Sequence, residues 1–167
     1  MIVPTVLVRL TDGWQQLYNN SKGLEIVVTF LHIGGLLLAG GLALATDRAT
    51  LRAIRQAVHD RAQHLDALSS VHQTVLAGLV ITFVSGVMLF LSDVKTFWGS
   101  WVFWLKMALI VALLINGWFM TRAERALRST GMSEENRAWT HLHNTAEVSL
   151  VLWYAITLAG VALLNIS

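Results

Sequence analysis

The chain has 167 residues, of which 55% are hydrophobic and only 13% charged, with a formal net charge of +2. A soluble domain carries about 25% charged residues, so this composition suits lipid rather than water. There are no cysteines, which excludes disulfides, thiolate metal sites, iron–sulfur clusters and covalently attached c-type haem. No phosphate loop, nucleophile elbow or paired-carboxylate signature is present, so no catalytic residue is assigned and a stand-alone enzyme is not expected. The arginines are split between two segments that flank apolar stretches, which is not a nucleic-acid-binding pattern.

Met1–Leu10 is apolar but short and carries Arg9 where a cleavage site would need small residues, so no cleavable signal peptide is expected. The one proline, Pro4, lies here, outside every span, and no proline kink is predicted. Leu10–Asn20 reads as a short helix with Leu10, Trp14, Leu17 and Tyr18 on one face, lying on the outer membrane surface. Asn19, Asn20, Ser21 and Gly23 then break the chain.

Four apolar stretches follow: Ile26–Ala45, Thr74–Leu91, Val102–Thr121 and Val148–Leu164. Each has about 17–20 residues, close to the ~20 that cross ~30 Å of hydrocarbon at 1.5 Å per residue. They predict spans over 24–46, 71–91, 101–121 and 144–164, with an interfacial segment at 1–23. The expected fold is all-α, a single integral-membrane domain built as an up-down-up-down four-helix bundle.

The connections are also patterned. Leu51, Ile54, Val58, Ala62, Leu65, Leu68 and His72 recur at helical spacing, predicting one helix that starts near Asp47 or Thr50 and enters the second span. Ser92–Ser100 reads as a short outer loop. The third span is expected to continue through Arg122–Arg128 and stop at Gly131, and Ser133 to cap a fourth helix with Glu134 and Glu135 in its first turn.

Charge gives an orientation. The first loop carries Arg48, Arg52, Arg55 and Arg61, and the third Arg122, Arg125, Arg128 and Arg137; the other side has Arg9, Lys22, Lys95 and Lys106. The arginine-rich side is expected to be cytoplasmic, with both termini outside, in a bacterial inner membrane. Trp98, Trp101 and Trp104 sit where an outer aromatic belt would.

Ionisable groups are expensive in lipid, so function is sought where they persist. His32 lies about 6 residues, ~9 Å, inside the first span. It reads either as an axial haem or other metal ligand, or as an interhelical hydrogen bonder. His72 and His143 sit at matching mouths of the second and fourth spans, where a b-type haem between parallel helices would take one imidazole from each; both also suit a wet interface. His141 is an alternative to His143 but points elsewhere on the helix. Glu147, one turn beyond His143, fits an acceptor that orients the imidazole, or a partner for a loop arginine. His59 and His64 read as a solvated face. Lys106, early in the third span, either snorkels to the interface or meets an anion: a haem propionate, a quinone carbonyl or Glu25. Asn116 reads as an interhelical hydrogen bonder. Gly34, Gly35, Gly40 and Gly41, like Gly78 and Gly86, permit close approach of another helix or of a flat cofactor.

The segment Phe30-Leu31-His32-Ile33-Gly34-Gly35 through Gly40-Gly41 to Asp47-Arg48, and Phe97–Lys106 leading into the third span, resemble a broad set of small bacterial four-helix membrane proteins. These are similar in turn to the copper-resistance D-type membrane domain and to four-helix b-type cytochromes. The resemblance implies a histidine-bearing bundle with capacity for haem. Under it His32 matches the first-span histidine and Lys106 the third-span lysine, while His72 and His143 match by location. Those cytochromes carry two histidines at each of two depths; here the outer level has His32 alone.

Three functions are therefore expected to compete. One is a b-type haem electron-transfer subunit held by His72 and His143, or by His32, exchanging electrons with quinone or a partner protein. Another is a cofactor-free structural subunit packed against other membrane subunits or in a homo-oligomer. The third is copper handling, to which Met88, Met107 and Met120 would lend soft ligands.

Overall fold

A computed structural model describes the backbone of residues 5–55, 61–129 and 135–166, with side chains over 8–52, 71–123 and 139–163 and at 125 and 165. The described residues form six helices and no strand: α1 (Thr5–Asn20), α2 (Lys22–Arg55), α3 (Arg61–Ser92), α4 (Val94–Gly99), α5 (Trp101–Ser129) and α6 (Glu135–Ile166). Four of them contain stretches long and apolar enough to cross a membrane: Lys22–Arg52, Val71–Ser92, Trp101–Ala123 and Trp139–Leu163. The protein is a multi-pass membrane protein, and its surface agrees. Phe30, Leu158 and Trp101 are each more than 70% exposed. Such a surface is unfavourable in water and costs nothing against lipid chains.

The helices are continuous because nothing in them stops a helix. No proline follows Pro4, and the hydroxyls inside the spans bond back to the preceding turn, Thr46 to the Leu42 carbonyl, Thr82 to Gly78 and Thr157 to Trp153. This corrects the start expected near Asp47 or Thr50. The first-span helix runs on to Arg55, with Asp47 and Thr50 buried on its inner face, and the next helix begins at Arg61. The chain break before the first span is a single residue, Ser21. The expected outer loop contains α4, capped by the Asp93 carboxylate, which accepts from the Thr96 amide at 3.2 Å. The third-span helix does continue through its arginines, to Ser129. The stop at Gly131, the cap at Ser133 and His59 lie outside the described residues, as does the side chain of His64.

One packing contact sets the geometry. A Cβ on Gly35 would sit 2.6 Å from the Thr82 hydroxyl and 2.9 Å from the Gly78 carbonyl, and a Cβ on Gly78 would sit 2.8 Å from the Ala39 amide. α2 and α3 therefore meet backbone to backbone, in antiparallel register. α6 closes on α2 through Trp153, whose ring lies 3.0 Å from where a Gly40 Cβ would be. α5 pairs with α6, and Asn116 donates to the Thr145 carbonyl at 2.9 Å, the interhelical bond expected of it. Ala39, Leu113, Trp153 and Ile156 form the core, joined by Leu36, Val75 and Leu79. Gly34 and Gly41 touch nothing within 4 Å.

The N-terminal helix also differs from the expected pattern. Thr11, Trp14 and Tyr18 turn inward, with the Trp14 indole donating to the Met88 carbonyl at 3.0 Å, while Leu10 and Leu17 stay exposed. The end of α3, α4 and the start of α5 are joined by rings, Phe90 stacked on Phe103 at 5.1 Å and Trp98 edge-on to Trp104 at 5.1 Å.

Gly78→Ala is expected to force α2 and α3 apart at a cost of about 1–3 kcal/mol, seen as a lower melting temperature in detergent. Gly34→Ala, in open space, is expected to stay within about 0.5 kcal/mol of the parent.

Candidate functional site

Two glycines on two different helices lie beside two polar side chains of the spans. His32 projects from α2 against α3, where its Cε1 lies 3.0 Å from the position a Gly86 Cβ would take. Lys106 projects from α5 against α6, where its Nζ lies 3.5 Å from the position of a Gly160 Cβ. The methyl absent at Gly86 would crowd the imidazole, whereas one at Gly160 would make only ordinary contact with the ammonium.

The hydrogen bonds of His32 determine which of its nitrogens is available. Nδ1 is 3.0 Å from the Thr82 carbonyl oxygen and 3.2 Å from the Ser85 hydroxyl oxygen. A carbonyl only accepts, so Nδ1 carries the hydrogen and donates. The Ser85 hydroxyl can give its own hydrogen to the Ile81 carbonyl at 2.7 Å, leaving a lone pair toward the imidazole. The neutral ring is thus held in the Nδ1–H tautomer, and Nε2 keeps its lone pair. Among the described residues Nε2 has no hydrogen-bond partner. A histidine whose Nδ1–H is anchored on a backbone carbonyl is the usual state of one that offers Nε2 to a metal. The interhelical hydrogen bond and the ligand role, alternatives in the sequence, are compatible because they use different nitrogens.

Lys106 is close enough to His32 to act on it electrostatically. It forms no hydrogen bond or ion pair with a described residue. The carboxylate considered for it, Glu25, instead approaches Lys22 at 3.6 Å, near the helix start. An ammonium at this depth either snorkels to the interface or meets an anionic or carbonyl group.

At the opposite end, His143 Nε2 is 3.7 Å from Glu147 Oε1, a charge contact too long for a hydrogen bond. His72 and His141 are exposed. Among the described residues neither α2 with α5, which carry His32 and Lys106, nor α3 with α6, which carry His72 and His143, is joined by an extended backbone approach. No group of three or more His, Cys, Asp or Glu side chains suited to a metal ion occurs among the described residues. Met88 and Met107 are half-buried on different helices, and the Met88 carbonyl serves Trp14.

Sequence reasoning missed Thr82, Ser85 and Gly160 as parts of this site. Their signal was faint: a Thr-x-x-Ser-Gly run in α3 is the polar notch of an otherwise apolar helix. No family model, curated protein or solved structure matches the chain.

The tautomer can be read directly. In protein labelled with ¹⁵N-histidine, the His32 ring is expected to show a protonated Nδ1 and an unprotonated, pyridine-like Nε2. A protonated Nε2 with a bare Nδ1 would contradict the hydrogen-bond assignment.

Proposed function

We propose that the protein is an electron-transfer subunit of the bacterial inner membrane that holds one b-type haem through His32 and exchanges electrons with quinone or a partner subunit. The observation that carries this reading is the Nδ1–H bond of His32 to the Thr82 carbonyl, which presents Nε2 as a ligand. The spans alternate up and down with both termini outside, so this site lies at the periplasmic level.

The donor set fits a haem. Nε2 would hold the iron, and His32 is the sole histidine at this level among the described residues. The Lys106 ammonium suits a propionate, and glycines flank the site. When bound, the haem supplies a one-electron carrier; the chain orients the imidazole, keeps it neutral at Nε2 and balances the propionate charge. A bare copper ion suits the site less, because Lys106 repels a cation and a single imidazole leaves it under-ligated.

A second reading rests on the same bond. His32 and its glycine seat also clamp α2 to α3, which is all that a cofactor-free structural subunit would require of them.

The dithionite-reduced visible spectrum of protein expressed with haem supply tests both readings. The proposal expects a Soret band with the broad, unresolved visible band of a five-coordinate haem, abolished by His32→Ala and retained by His72→Ala and His143→Ala. Lys106→Met should weaken haem retention about tenfold, on the scale of roughly 1–2 kcal/mol for a lost charge-assisted contact. A well-folded protein with no Soret absorption leaves the structural-subunit reading.

A further inference from the structure

A second polar pair faces the lipid at the arginine-rich end. Arg48 of α2 donates from Nη2 to the Tyr154 hydroxyl of α6 at 2.9 Å. Both residues are exposed, and they bridge the helices that Gly40 and Trp153 bring together. Tyr154 lies six residues inside the apolar stretch Val148–Leu164, ~9 Å at 1.5 Å per residue, and Arg48 lies three residues beyond Ala45. The two side chains meet near the edge of the hydrocarbon.

Their hydrogen-bonding is incomplete in one direction only. A guanidinium has five N–H donors, and the Tyr154 hydroxyl is its one hydrogen-bond acceptor among the described residues. No described carboxylate pairs with it. Tyr154, accepting from Arg48, has its own O–H left to donate. The pair therefore shows the lipid a positive, donor-only surface. Arg52, one turn further along α2, is also exposed and adds charge at the same end. Leaving a guanidinium so placed without an anion is costly.

The chemical group that reaches this depth and matches the donors is a phosphodiester. Its two unesterified oxygens suit the guanidinium fork, and a third contact falls to the tyrosine O–H. We propose that Arg48 and Tyr154 form a site on the α2–α6 groove for the phosphate of an anionic membrane phospholipid. This site is independent of His32 and of any haem.

The test uses the full chain in nanodiscs of phosphatidylcholine doped with phosphatidylglycerol, with lipids retained on the protein counted by native mass spectrometry. The parent is expected to retain phosphatidylglycerol at least about fivefold in preference to phosphatidylcholine. Arg48→Gln should abolish that preference, and Tyr154→Phe, which keeps the ring, should reduce it about threefold. Equal retention in parent and both variants overturns the proposal, as does a parent with no preference for the anionic lipid. Displacement of the lipid by millimolar glycerol phosphate would show a site for soluble phosphate esters and would overturn the lipid assignment.

Discussion

The structure depends on the contact of two glycines. Gly35 and Gly78 let the backbones of α2 and α3 touch, with only the Thr82 hydroxyl and the Ala39 methyl beside them. In lipid there is no hydrophobic gain from bringing two apolar helices together, so close packing must supply the association. One helical turn outward, the same proximity lets His32 reach the Thr82 carbonyl and lie on Gly86. A wider crossing would leave the imidazole without its anchor, and with it the fixed tautomer.

The rest of the fold builds on this pair. α6 joins α2 through Trp153 and Gly40, and α5 joins α6 through Asn116 and the leucine-rich core. Lys106, near the start of α5, lies against Gly160 of α6 and acts electrostatically on His32, a histidine far from it in sequence. Polar groups in the spans differ in how they are satisfied. The hydroxyls of Thr46, Thr82, Ser85, Thr121 and Thr157 bond to their own helix, and Asn116 bonds across to α6. His32 and Lys106 retain unused capacity, which is what distinguishes a site from tolerated polarity.

The spans and their count were legible from hydropathy, because a run of apolar residues needs no knowledge of neighbours. So was the role of Asn116, since an amide deep in a span must find a partner. Helix continuity past Thr46 was less legible: the polarity of Asp47 and Thr50 looked like a boundary, yet both are buried where α2 keeps packing. The helical face of α1 was misread because Leu10 and Leu17 can rest in lipid, so their periodicity does not mark the packed side. The environment of His32 was illegible for a different reason. Its main partner is a backbone carbonyl, which has no residue signature, and its seat depends on which helices are neighbours. The His72 and His143 pairing rested on that same unknown; among the described residues α3 and α6 share no extended backbone contact.

The central claim is that His32 alone, fastened through Nδ1 and open at Nε2, holds the redox group. Electron paramagnetic resonance of the ferric, haem-loaded protein tests it most directly. A single imidazole ligand predicts a high-spin axial signal that disappears in His32→Ala and survives in His72→Ala and His143→Ala. A low-spin signal of bis-imidazole type, lost on substitution of His72 or His143, would contradict it.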